Sequence, residues 1–149
     1  MNTTIRKGVE EDLPSVLELI KELALYEKAP NEVTNTVAKM REDGFGNNAV
    51  FGFFVAEVEA KIVGISLYYT RYSTWKGKCL YLEDIIVTES FRGNGIGNLL
   101  FEKTKQYAAE NKFVSINWQV LDWNEPAINF YKKYDAEFHT DWINCRIML

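Results

Sequence analysis

Two acidic residues, Glu83 and Asp84, interrupt the apolar run from Cys79 to Val87. Adjacent residues on a strand point to opposite faces, so at least one of them should face a cleft or the core. A carboxylate withdrawn from water needs a cationic partner. Structural ion pairs would meet that need, and so would a site for a cationic ligand. Downstream lies Arg92-Gly93-Asn94-Gly95-Ile96-Gly97. Glycines at this density let backbone N–H groups crowd around an anion without side-chain interference. A helix beginning there adds unpaired N–H groups and a favourable dipole. A pyrophosphate is the natural guest, with Arg92 adding charge, although a glycine-rich turn that only reverses the chain has the same look. No Lys-Ser/Thr pair follows as in a Walker loop, and the spacing is not that of G-x-G-x-x-G. Trp75 stands among loop residues before the acidic strand, where its ring would stack on an ammonium group or fill an interface. Asn124, with Pro126 in the first turn, caps a helix that carries Phe130 and Tyr131.

The elements that position these residues follow from periodicity. Residues 3–6 suit a short strand. Glu10-Glu11-Asp12 and Pro14 open a helix whose apolar positions Val16, Leu17, Leu19, Ile20, Leu23 and Ala24 carry it to about Glu27. A second helix covers residues 34–42. Residues 51–57 and 62–69 read as a hairpin, 70–78 as a loop, and 79–87 as a long strand. A helix over 98–111, a strand over 113–120, a helix from Asn124 to Lys133 and one or two closing strands over 138–149 complete the order. That order is a mixed α/β or α+β domain around a central sheet, and 149 residues suit one domain.

Composition excludes several classes. A net charge of -4 argues against nucleic acid or an anionic membrane as partner and agrees with a cationic substrate. Cys79 and Cys145 lack metal-ligand spacing and read as two buried free thiols. With one histidine, His139, neither a histidine metal site nor a Ser-His-Asp triad is within reach, so no metal is expected. The N-terminus has no apolar run, and no segment is long enough to cross a bilayer, so a cytoplasmic location is expected.

The glycine loop after a strand ending Leu82-Glu83-Asp84-Ile85-Ile86-Val87 resembles the acetyl-CoA pyrophosphate motif of the GNAT acetyltransferases, Gln/Arg-x-x-Gly-x-Gly/Ala. Trp123-Asn124-Glu125-Pro126-Ala127-Ile128-Asn129-Phe130-Tyr131 is similar to that superfamily's last motif. The stretches Leu19 to Glu27 and Glu42-Asp43-Gly44-Phe45-Gly46 are similar to a narrower group, the diamine and thialysine N-acetyltransferases. The resemblance spans nearly the whole chain. It implies a single acetyltransferase domain over residues 1–149, a splayed, mixed but mostly antiparallel sheet with about four helices, acetyl-CoA as cosubstrate, and a homodimer.

Acetyl transfer to an amine needs a neutral amine, a stabilised carbonyl oxygen and a proton for the departing thiolate. The resemblance implies Tyr131 as the acid. It implies Glu83 as the base, through water, and Asp84 as an anchor for the substrate amine. Glu27 would add negative charge to the amine channel, and Trp75 and Asn124 would touch substrate. Main-chain groups of Ile85, Ile86 and Val87 would hold the oxyanion and the pantetheine amides. Arg92, Gly93, Asn94, Gly95, Ile96 and Gly97 would hold the diphosphate, and Asn124 and Tyr131 would also meet the coenzyme. Polyamine-acetylating relatives carry Asp-Pro before the tryptophan, whereas Ser73-Thr74 stands here, flanked by Arg71 and Lys76. Those cations would repel a long polycation and welcome a carboxylate. The acceptor is thus open between a polyamine and an amino acid such as thialysine or lysine. A protein amine as acceptor, and a coenzyme A-binding module without catalysis, are the alternatives.

Overall fold

The computed structural model describes all 149 residues. The chain forms two compact units, Met1–Gln119 and Val120–Leu149. In the first, strands β1 (Thr3–Lys7), β2 (Gly52–Val58), β3 (Lys61–Ser73), β4 (Gly77–Val87) and β5 (Ile116–Asn117) make one sheet in sequence order. Pairing is antiparallel from β1 to β4, and β5 lies parallel to β4. Helices α1 (Leu13–Tyr26), α2 (Val37–Phe45) and α3 (Ile96–Glu110) complete this unit. The second unit contains α4 (Glu125–Lys132). No helix is long and apolar enough to cross a membrane.

Helices cover both faces of the sheet, which is why β2 and β3 are buried almost continuously along their apolar stretches. On one face Leu13, Val16, Leu17 and Leu19 of α1 and Met40 of α2 pack on Phe53, Val55, Ile65, Leu67 and Ile86. On the other, Leu100, Phe101, Thr104 and Ala108 of α3 are buried, and Tyr107 meets Phe54 and Tyr68 ring to ring. The one hydroxyl pair here satisfies itself: Ser66 Oγ and Thr104 Oγ1 lie 2.9 Å apart, and Thr104 Oγ1 donates to the Leu100 carbonyl at 2.8 Å. Between β1 and α1, Asp12 accepts from the Val9 N–H and pairs with Arg6 at 2.8 Å. That guanidinium holds the Asp12 carboxyl below its ordinary range.

Several sequence expectations need correction. Residues 70–78 are not a loop. The β3–β4 ladder continues through Thr70↔Leu80, Arg71↔Cys79, Tyr72↔Lys78 and Ser73↔Gly77, making a tight projecting hairpin. Its residues looked loop-like because the projection exposes them on both faces. Helix α3 begins at Ile96 rather than at 98 because left-handed Gly95 is itself the N-cap. The strand expected over 113–120 is only β5, as pairing with β4 is limited to Leu80↔Ile116 and Tyr81↔Asn117. The closing strands expected over 138–149 are absent. Apolar alternation through Ile143, Cys145, Ile147 and Leu149 gives that segment two faces, but a strand also requires a partner edge. Cys145 is exposed there, and only Cys79 is buried.

Candidate active site

The pairing of β3 with β4 is irregular at one point. Leu67 faces Asp84 and Tyr68 faces Leu82, which leaves Glu83 as an extra residue on β4. This bulge changes the side-chain parity of the strand. Asp84 keeps the face of Leu67, Ile65 and Ile86, which pack under α1. Glu83 falls into step with Tyr81, opposite Tyr69, on that same face. The expectation that the two acids point to opposite faces therefore fails, and the bulge gathers both.

Their surroundings confirm the grouping. The Tyr69 hydroxyl donates to Glu83 Oε1 at 3.2 Å. Burial pushes the Asp84 carboxyl up to about 7, and the charges of Glu83 and Glu27 add to the rise. Glu27, the residue that closes α1, is also raised by burial. Tyr69 is pushed up to about 12, by burial first and then by Glu83. Three carboxylates and a phenol thus share one patch where α1 ends over the β4 bulge. Two like-charged groups and partial desolvation make the ionised form of Asp84 costly, and a cation entering the patch would relieve that cost.

Tyr69 and Tyr81 were not singled out from the sequence. Their rings lie 5.2 Å apart across the β3–β4 ladder. The available signal was two-residue alternation, Tyr69 with Arg71 and Tyr81 with Glu83, on strands otherwise read only for apolar content. Arg71 extends this row, with its guanidinium carbon 5.8 Å from the centre of the Tyr81 ring. Trp75 is placed differently. It stands at the hairpin tip, 83% exposed.

Beyond Tyr81, β4 pairs with β3 alone, so Ile85, Ile86 and Val87 lie on a stretch whose second edge has no strand neighbour. Main-chain groups on such an edge suit an amide-bearing chain laid alongside it. A 3-10 turn, Glu89–Phe91, leads from β4 to the glycine loop. Gly93 and Gly95 have φ of +79° and +78°, and a Cβ built on either meets no atom within 4 Å. Glycine is needed there for backbone conformation, not for room. Asn94 Nδ2 braces the turn by donating to the Phe91 and Arg92 carbonyls at 3.1 and 3.3 Å. No side chain caps the N-terminus of α3. Ile96 is buried beneath that first turn, and Gly97 follows it. The loop therefore fits an anionic group such as a diphosphate.

Arg92 does not extend its charge toward that turn. Its Nε donates to the Val87 carbonyl at 2.8 Å, and a terminal nitrogen lies 3.4 Å from Glu22 of α1. Glu22 also accepts from the Thr88 hydroxyl at 2.7 Å and the Glu89 N–H at 3.1 Å. Glu22, which the sequence did not mark, fastens the approach to the glycine loop onto α1.

In the second unit, Asn124 caps α4 as expected, its Oδ1 accepting from the Ala127 N–H at 3.4 Å. Asn124 and Tyr131 are both 7% exposed. The Tyr131 ring stands edge-on to Phe130, with centroids 5.4 Å apart.

Comparisons with known proteins agree with this architecture. The chain is 37% identical over 156 residues to the thialysine N-epsilon-acetyltransferase of Mus musculus, covering 97% of this chain and 92% of that protein. It is 39% identical over 145 residues to the corresponding Bos taurus protein, covering 92% and 85%. Similarity to the Homo sapiens spermidine/spermine N(1)-acetyltransferase-like protein 1 is 37% over 139 residues, 89% of this chain but 20% of that longer protein. Among solved structures, an aminoglycoside acetyltransferase from an uncultured soil metagenomic sample, in complex with trehalose, shares the fold. Its TM-score is 0.81 at 24% identity, over 99% of this chain and 96% of that one. Residues 14–135 match the acetyltransferase (GNAT) family, and the chain belongs to that family.

Proposed function

We propose that the chain acetylates the primary amine of a small cationic substrate, with acetyl-CoA as donor and the Glu27, Glu83 and Asp84 patch as the amine site. The bulge that brings Glu83 and Asp84 to one face carries this reading. Amino-acid amines of the thialysine type are the favoured acceptors, in line with the named activity of the relatives. The diphosphate belongs at Arg92 to Gly97, held by main-chain N–H groups rather than by the Arg92 side chain. The pantetheine arm belongs along the open edge at Ile85 to Val87. Acetyl-CoA supplies the activated acyl group.

Each residue of the chain then has a task. Asp84, which ionises near neutrality, is driven to its charged form by the arriving ammonium and anchors it. Glu83, held by the Tyr69 hydroxyl, takes the amine proton through a water. A backbone N–H near Ile85 to Val87 donates to the carbonyl oxygen as charge develops on it. Tyr131 gives a proton to the departing sulfur. Glu27 adds negative charge to the channel, Trp75 guards its mouth, and Asn124 orients both α4 and substrate. The protein works in the cytoplasm as a homodimer. Apolar side chains exposed near the C-terminus, among them Trp142, Ile143 and Ile147, support such self-association.

Parallel measurement of turnover and acetyl-CoA binding tests the assignment. Replacing Glu83 by Gln should lower kcat by roughly 100-fold and leave acetyl-CoA affinity near that of the unmodified chain. Equal loss in both would place Glu83 in structure or coenzyme binding.

A further inference from the structure

Arg71 follows Tyr69 by two positions on β3, and Leu67 and Ile65 of the same parity face α1. Its side chain therefore shares the face that carries Glu83 and Asp84. Arg71 takes part in none of the ion pairs of the fold. Its guanidinium lies beside the Tyr81 ring, and its charge is felt by both Tyr69 and Tyr81, the two rings between it and the acids. Lys76 does not share this placement. It belongs to the hairpin turn, where its N–H donates to Ser73 Oγ at 3.1 Å.

One face of the hairpin thus presents an anionic patch, a wall of two aromatic rings and a cation, in that order. Arg71 stands four positions along β3 from Leu67, the partner of Asp84, or about 14 Å. Its guanidinium, however, lies beside the Tyr81 ring, opposite Tyr69, which leaves two positions, or about 7 Å, to Asp84. At carbon–carbon bonds of about 1.5 Å, a chain of about four methylenes bridges that distance. We infer that Arg71 is the specificity-determining residue of the amine site. It binds a carboxylate at the far end of the acceptor, so the chain selects ω-amino acids over diamines of equal length. This rests on the amine site proposed above. A guanidinium suits this role because its planar fork meets a carboxylate through two hydrogen bonds. It also repels the second ammonium of a diamine. The methylenes between would lie against Tyr69 and Tyr81.

Three acceptors of matched length separate the contributions: lysine, 6-aminohexanoate, which lacks the α-amine, and cadaverine, which lacks the carboxylate. The unmodified chain should favour 6-aminohexanoate and lysine over cadaverine in kcat/KM. Replacing the exposed Arg71 by Gln should cut the 6-aminohexanoate to cadaverine ratio about tenfold, through the KM of the carboxylate-bearing acceptor. Arg71→Glu should turn the preference toward cadaverine, and Lys76→Gln should leave the ratio alone. A ratio unmoved by either Arg71 substitution, while amines are still acetylated, would overturn this role and spare the amine site. Failure to acetylate any of the three, or spermidine, would defeat both.

Discussion

At the residue scale the account depends on two titrations and one proton donor. Asp84 ionises near 7 in the folded chain because of burial, Glu83 and Glu27, against about 3.9 in an unfolded one. Folding therefore favours the protonated form. The stability contributed by that proton is fully present below the unfolded pKa and is lost as pH rises through about 7. Asp84→Asn, neutral throughout, should raise Tm relative to the unmodified chain by more at pH 8 than at pH 5; thermal melts at the two values decide it, and an equal gain would contradict the burial of Asp84. The same titration predicts that the amine KM falls as pH rises from about 6 to about 8, since the anchor becomes charged while the amine is still a cation. Tyr131→Phe should lower kcat by about 100-fold with little effect on acetyl-CoA affinity, read by single-turnover kinetics beside calorimetry; unchanged kcat would remove the acid role. Glu83 and Asp84 were legible in the sequence because acids in an apolar strand demand an explanation; Glu27, which closes a helix, was marked only by the family resemblance. Tyr69 and Tyr81 were not, and Arg71 was marked only together with Lys76, because which strand positions share a face with the acids is set by the bulge.

At the element scale, the bulge and the glycine loop each convert a regular strand or helix into a binding device. One extra residue on β4 puts two acids on one face, and left-handed Gly93 and Gly95 start α3 without a side-chain cap. A Cβ at Gly93 meets no neighbour, so Gly93→Ala is a backbone perturbation alone. Its cost should be about 1–2 kcal/mol, seen as a lowered Tm and a raised acetyl-CoA KM with the amine KM unchanged; a shift in the amine KM alone would point the loop elsewhere. Glu22 joins Thr88, Glu89 and Arg92 to α1, so Glu22→Ala should likewise raise the acetyl-CoA KM. Periodicity revealed α1, α3 and α4, because caps, prolines and glycines act within a few residues of the helices they bound. It misread residues 70–78 and 138–149. The first extends a ladder into solvent, where no apolar face advertises it. The second has strand-like alternation but no strand pairing, and pairing is a property of two segments.

At the scale of the whole molecule, a net charge of -4 resides partly in the patch that would receive a cation. Electrostatic attraction to such a patch speeds encounter at low ionic strength, and Arg71 beside it turns plain attraction for cations into discrimination among them. The family match over residues 14–135 covers most of the first compact unit and reaches into the second. The central claim is that amines are acetylated at the β4 bulge. It is tested most directly by mixing the purified chain with acetyl-CoA and a set of lysine, 6-aminohexanoate, cadaverine and spermidine, and following free thiol. Thiol release that depends on added amine, and that collapses in the paired Glu83→Gln, Asp84→Asn variant, is the predicted result. Release no faster with any amine than without one, or undiminished in that variant, would contradict the account.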